Sequence, residues 1–403
     1  MSNDSIPFLD LVTPHRQLEE ELVASVREAL RSAAFIGGGQ VESFEKEFAA
    51  FCGTKYSVGV ANGTDAVRFA LMAAGVKAGE TVVTVPNTFI ATTEAISQAG
   101  GRIAFVDVDA RTYTMDPEKL RAFVERQCTW DTQAWRLVHT DSRSVVSAIV
   151  PVHLYGQMAD MDSILELAAK YNLRVVEDAC QAHGAEYFSR TEQRWRKAGS
   201  MGVAAAFSFY PGKNLGACGE AGAVTTNDER VAAACRMIRD HGQSKKYYHD
   251  IEGYNGRLDA IQAGFLRVKL RHLEDWNDAR GERAQLYGQL LAGSAEVALP
   301  YVPSWSKPVF HLYVIQVADR ERLQRALGEA GIGTGIHYPI PLHLQKAYDH
   351  LGCLKGSFPV SEAAAVRQLS LPMFPTLTAD AQRLVAERIR EFVGAVAQTA
   401  SGA

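Results

Sequence analysis

No run of apolar residues in this 403-residue chain approaches the roughly 18 that a membrane-spanning helix needs, so no membrane partner is expected. Charge of one sign is not in excess either. The 42 Lys and Arg residues oppose 46 Asp and Glu, a formal net charge of −4, which offers no footprint for a nucleic acid. The six cysteines (Cys52, Cys128, Cys180, Cys218, Cys235 and Cys353) contain no C-x-x-C pair. With no secretory leader ahead of them, they are expected to be reduced thiols in a cytoplasmic protein. Internal repeats and low-complexity tracts are lacking. Gly37-Gly38-Gly39 lacks the G-x-G-x-x-G spacing of a dinucleotide loop, and no metal site is expected.

What is present is an α/β pattern. At 47% hydrophobic and 22% charged residues, the chain can bury one large core and a smaller one. Helices are expected over Gln17 to Ser32 and again after Gly37-Gly38-Gly39. Short apolar strands then alternate with helices: Thr81 to Val85, Arg102 to Val106, Val145 to Val150, Arg174 to Glu177, Val203 to Phe209 and Gly222 to Thr225. Such alternation predicts a mainly parallel sheet flanked by helices. Gln127 to Arg143 is polar and reads as a surface insertion. Leu258 to Leu291 reads as a long helical stretch interrupted near Gly281, leading into a smaller C-terminal α+β domain. The expected division is 1–265 for a large domain with its N-terminal helical segment and 266–403 for the small one.

Three strand ends carry chemistry. Val203 to Phe209 is broken by Pro211, Gly212 and Gly216, which puts Lys213 in a loop with its amine exposed at the strand's end. In open α/β sheets that edge is where ligands bind. Tyr56 to Ala61 runs into Asn62-Gly63-Thr64 and then a helical pattern, so unpaired N–H groups at a helix N-terminus could meet a phosphate. Thr64 or Asp65 could equally serve only to cap that helix. Leu173 to Gly184 ends its strand at Glu177-Asp178, and Gly253 to Asp259 is a polar glycine turn. Phosphate cradle, acid and lysine together are what pyridoxal 5′-phosphate (PLP) requires.

These segments resemble the DegT/DnrJ/EryC1/StrS nucleotide-sugar aminotransferases, PLP enzymes of the aspartate aminotransferase fold (PLP fold type I). The similarity runs through Phe35 to Phe48, Asn62 to Ala66, Pro86 to Thr92, Val106 to Asp109, Pro151 to Gly156, Glu177 to His183, Ser208 to Asn214, Gly253 to Asp259 and His337 to His343. The resemblance implies that Lys213 is the Schiff-base lysine and Asp178 the partner of the pyridine nitrogen. It implies phosphate contacts from Gly63, Thr64 and Ser208, an aromatic face from Phe89, and Gln181 beside the phenolic oxygen. Asn255 matches a residue that reaches the phosphate of a neighbouring subunit, which implies a homodimer with shared active sites. Core packing for Phe89 and local turn bonds for Ser208 and Gln181 are the plainer alternatives.

The reaction so implied moves an amino group from L-glutamate, through pyridoxamine phosphate, to the ketone of a dTDP- or UDP-linked sugar. The run His241 to His249 is more similar to members acting on 3-keto sugars than on 4-keto sugars. Lys246 and Tyr248 are candidate contacts to the nucleotide, with His337 and Tyr338 lining the sugar pocket; a solvated basic loop and a simple turn are the alternatives. A dehydratase branch has histidine in place of the lysine, which Lys213 opposes. Cyclitol and amino-hydroxybenzoate branches stay open, as does a regulatory protein that retains the fold without catalysis.

Overall fold

The computed structural model describes residues 5–401, with side chains through 394. Helices α1 (Val12–Gln17) and α2 (Glu19–Ser32) break at Leu18, within the single helix expected there. Helix α3 (Gly39–Cys52) is closed by Gly53, whose φ of 71° is the left-handed geometry a helix C-terminus favours. The chain then alternates β1 (Tyr56–Val60), α4 (Gly63–Ala73), β2 (Thr81–Thr84), α5 (Ile90–Gln98) and β3 (Arg102–Phe105). Helix α6 (Pro117–Gln127) starts at Asp116, whose carboxylate accepts from the N–H groups of Glu118 and Lys119.

A hairpin, β4 (Cys128–Asp131) and β5 (Arg136–His139), precedes β6 (Val145–Ile149), α7 (Met161–Lys170) and β7 (Arg174–Asp178). A second hairpin, β8 (Glu186–Ser189) and β9 (Arg194–Lys197), leads to β10 (Ala204–Ser208), β11 (Gly222–Thr226) and α8 (Glu229–Arg239). A third, β12 (Gln243–Lys245) and β13 (Tyr248–His249), stands before α9 (Ala260–Leu270) and α10 (Leu273–Leu291). The helical stretch is therefore interrupted at Arg271-His272 and not near Gly281. Gly281 lies inside α10 with nothing within 4 Å of a side chain there, so open space and not a break accounts for it.

The main sheet has the order β1-β11-β10-β7-β6-β2-β3, with β4 and β5 joined to β6. Strands β10, β7, β6, β2 and β3 are mutually parallel, whereas β11 runs antiparallel between β10 and β1. Two antiparallel steps restore direction, so β1 points the same way as β10. The insertion is not merely a surface loop, because Leu137 of β5 pairs with Val146 and is buried. Helices cover both faces, which explains strands such as β2 and β11 that are buried at every position. Helix α3 buries Val41, Phe44, Phe48 and Cys52 at helical spacing, and Phe48 meets Phe207 edge-on at 5.0 Å. Burying Phe44 and Phe48 contributes about 2–3 kcal/mol each. That packing fixes the strand whose end carries the site.

A second core gathers Ile6 with Tyr287, Ile315, Leu323, Leu369 and Ile389. It is built on β14 (Val297–Ala298), β16 (Tyr313–Val317) and β17 (Gln368–Leu371), packed by α10, α11 (Arg320–Glu329) and α13 (Ala379–Ser401). The two-residue strand β15 (Ser306–Lys307) pairs instead with β8, and α12 (Pro359–Arg367) leads into β17. No helix among the described residues is long and apolar enough to cross a membrane.

Candidate active site

Because β1, β7 and β10 run in one direction, their C-terminal ends deliver Asn62-Gly63-Thr64, Asp178 and Ser208 to one edge. Helix α4 begins there, at Gly63. The cap is Asn62, not Thr64 or Asp65: its side-chain oxygen accepts from the Asp65 N–H at 2.8 Å. The first-turn N–H groups of Gly63 and Thr64 have no intrahelical acceptor and lie at the positive end of the dipole. A Cβ on Gly63 would sit 2.5 Å from Ser208 Cβ, so glycine is what lets α4 abut the strand end. A cavity of about 960 Å³ opens over this edge, with Thr64, Asp178, Ser208 and Lys213 in its wall.

The loop after β10 is held by backbone bonds: Lys213 N–H to Tyr210 O at 2.8 Å and Ala217 N–H to Phe209 O at 2.7 Å. Asn214, next to the lysine, is buried and donates to Asn277 and to the Val309 carbonyl. Lys213 is half-buried, not exposed as expected from the turn. Burial lowers its pKa, while Cys180 and Asp178 pull the other way. Burial and the lysine's charge also hold nearby imidazoles neutral, with His183 pushed down to about 3 and His337 to about 4.

Strand alternation separates the acid pair. Asp178 faces the cavity, accepting from Thr92 Oγ at 2.7 Å and from the Cys180 N–H at 3.2 Å. Thr92 is in turn 2.9 Å from the Thr88 hydroxyl. Glu177 points the opposite way, fully buried, and takes His153 Nε2 at 2.9 Å with the N–H groups of Gly199, Met201 and Gly202. Burial alone would raise its pKa, but those donors outweigh it and the net direction is down. Glu177 is structural; Asp178 is available for chemistry.

Gln181 is oriented by its neighbours. Its oxygen accepts the Tyr155 N–H at 2.7 Å, which leaves Nε2 to meet Tyr338 Oη at 3.1 Å. Phe89 is 54% exposed inside the cavity, 5.6 Å from the Tyr338 ring, so core packing does not explain it. His337 Nδ1 lies 2.9 Å from Ser370 Oγ on β17, so the second core helps close the pocket.

Gly63, Thr64, Phe89, Asp178, Gln181, Ser208, Lys213, His337 and Tyr338 thus come together in one cavity. Asn255, Lys246 and Tyr248 do not line it. Asn255 is exposed and accepts from Arg257, and Tyr248 is 64% exposed on the third hairpin. Sequence reasoning missed Phe8, His311 and Arg68 in the wall, and gave no role to Thr92. Only Thr92 carried a signal, as the end of the Pro86 to Thr92 motif.

An acid at the end of one strand and a lysine in the loop after its parallel neighbour, facing a helix N-terminus, form the kind of site that a phosphorylated aldehyde cofactor requires. The chain belongs to the DegT/DnrJ/EryC1/StrS aminotransferase family, whose model matches residues 16–390. It is 42% identical over 390 residues to a pleiotropic regulatory protein of Geobacillus stearothermophilus, covering 96% of this chain and 98% of that one. It is 41% identical over 387 residues to a dTDP-3-amino-3,6-dideoxy-alpha-D-galactopyranose transaminase of Aneurinibacillus thermoaerophilus, covering 96% and 99%. The crystal structure of S. venezuelae DesV with a ketimine intermediate superposes with a TM-score of 0.88 at 38% identity, covering 96% and 98%.

The fold is that of the PLP fold type I aminotransferases, and the family's cofactor is PLP. The residues fit it. Gly63, Thr64 and Ser208 suit the phosphate, Asp178 the ring nitrogen, Gln181 the phenolic oxygen and Lys213 the aldehyde. The described residues contain no group of three or more His, Cys, Asp or Glu that could hold a metal ion.

Proposed function

We propose that this enzyme moves an amino group from L-glutamate to a nucleotide-linked keto-hexose, a 3-keto sugar carried on dTDP or UDP. The observation that carries the reading is the half-buried Lys213 sharing one cavity with Asp178 and the Gly63-Thr64-Ser208 cradle. The dTDP-3-amino sugar named for the relative supports the position of amination.

PLP, when bound, supplies an electron sink for the carbanion at the amine-bearing carbon. With the cofactor bound, Lys213 would hold its aldehyde and, as the free amine, would take the proton from the substrate's amine-bearing carbon and deliver it to the cofactor's former aldehyde carbon. Its lowered pKa favours the free amine that this role needs. Asp178, whose carboxylate Thr92 orients, would keep the ring nitrogen's proton. Phe89 and Tyr338 cover the reacting centre and exclude water.

Asn255, Lys246 and Tyr248 belong, on this reading, to the active site of the neighbouring subunit in a homodimer. Mixed dimers test it: Lys213→Ala and Asn255→Ala chains, each inactive alone, should regain activity when combined, and failure removes the shared site. For the function itself, the pyridoxamine phosphate form should return to the aldehyde form with a dTDP- or UDP-linked 3-keto sugar, monitored by absorbance. Return only with 4-keto sugars or cyclitols overturns the assignment. A regulatory role, favoured by the name of the Geobacillus relative, predicts no such return with any ketone.

A further inference from the structure

His311 stands in the cavity wall, and its protonation pattern can be read end to end along a chain of amides. The His183 carbonyl can only accept, so Asn277 presents Nδ2 to it at 2.8 Å. Asn277 Oδ1 then accepts Asn214 Nδ2 at 2.9 Å, and the same nitrogen donates to the Val309 carbonyl at 3.0 Å. Asn214 is left with its amide oxygen towards His311 Nδ1 at 3.2 Å. An amide oxygen only accepts, so Nδ1 carries the imidazole proton. In a neutral ring Nε2 is then a bare lone pair, and it has no hydrogen-bond partner among the described residues. Burial, with the Lys213 charge second, keeps the ring neutral by driving its pKa well below the ordinary histidine value.

The surrounding wall narrows what such a lone pair can meet. Phe8 stacks on His337 with ring centroids 5.7 Å apart and planes at 19°, and Phe89 presents a further aromatic face. Flat apolar faces with a few neutral polar atoms suit a ring that has C–H faces and hydroxyls. A lone pair repels a carboxylate and cannot donate to a ketone oxygen. A hydroxyl meets it by donating.

We propose that His311 Nε2 accepts a hydrogen bond from a hydroxyl of the sugar substrate, making His311 a specificity-determining residue that separates sugar from amino-acid donor. The proposal rests on the aminotransferase reading and adds to it which atom reads the sugar. Asn214 and Asn277 are positioning residues, because they act through the ring.

The test follows the two half-reactions separately on PLP-loaded enzyme, by absorbance, with L-glutamate and with dTDP-3-amino-3,6-dideoxygalactose. His311→Leu should weaken the apparent affinity for the sugar about 10- to 100-fold, the cost of an unpaired hydroxyl. The effect on the glutamate half-reaction should be at least about tenfold smaller. His311→Gln, which restores an acceptor oxygen, should recover most of the loss. Equal damage to both half-reactions, or no weakening towards the sugar, overturns the proposal while leaving the aminotransferase reading intact. Nitrogen-15 NMR of the wild-type imidazoles should show His311 neutral with the proton on Nδ1, and a proton on Nε2 overturns the proposal whether or not the variants fold. A wild-type enzyme that exchanges its amino group with glutamate but with no nucleotide amino sugar overturns the parent reading and the hydroxyl contact with it.

Discussion

The cavity at the sheet edge and the β12–β13 hairpin are built on opposite terms. In the cavity, Asp178, Gln181 and His337 each have a fixed partner, so their orientations are set before anything binds. On the hairpin, Tyr247 and Tyr248 are 79% and 64% exposed, with Lys246 over the Tyr247 ring at 5.2 Å and Lys245 over the Tyr248 ring at 5.5 Å. Cations and aromatic faces are present there without a binding surface opposite them. The lysine and the acid share one cavity of this chain, whereas the hairpin takes part in a site only on the shared-dimer reading proposed above.

The comparison is broken most severely by losing the lysine. Lys213→Ala should cut turnover by about 10³-fold or more and abolish the visible absorbance of the lysine-linked cofactor. Substantial amine transfer in that variant would falsify the assignment. Next come the two neighbours on β7, which should fail differently. Asp178→Asn should reduce the rate about 10²-fold with little change in melting temperature. Glu177→Gln takes the charge from a buried acceptor that serves His153 and the N–H groups of Gly199, Met201 and Gly202, and should destabilise by about 1–3 kcal/mol in urea unfolding. Equal effects on rate and stability for both would mean that the alternation of the strand does not separate their roles.

Smaller effects test the cradle and the hairpin. Gly63→Ala forces Ser208 to move and should cost about 1–3 kcal/mol of stability along with weaker cofactor binding, read by equilibrium dialysis. Lys246→Ala and Tyr248→Ala should each weaken nucleotide-sugar binding by about 1 kcal/mol. If calorimetry shows neither change, the hairpin has no part in the site. A separate effect is expected in acid. His183 and His337 are held neutral at about 3 and about 4, whereas unfolded histidine titrates near 6.5. The unfolded state therefore binds more protons below pH 6.5, so stability present above that pH is lost as pH falls towards 4 and 3. The urea midpoint should be flat from pH 8 to 7 and decline below 6.5, less steeply in His183→Leu.

Much of the cavity was legible because its residues sit beside signals that act locally. Asn62-Gly63 announces a helix start, Pro211-Gly212 ends a strand, and Glu177-Asp178 closes an apolar run. Gly281 misled because a glycine in a helix implies a break only where the backbone must bend, and at that position it does not. The partners of the site were not legible. Thr92 reaches Asp178 across 86 positions and Asn214 reaches His311 across 97, distances over which no periodicity carries information.

By itself, then, the order of residues determined the alternation of strands and helices, the chemistry available at the strand ends and the lysine–acid pair. Those follow from periodicity, turn residues and side-chain type, which are properties of short segments. Only the tertiary structure decided which carboxylate faces the cavity, which nitrogen of His311 is bare, and that Asn255 and the hairpin stay outside this chain's own pocket. These depend on strand direction and on amide polarity passed through space, and both exist only once distant segments have packed.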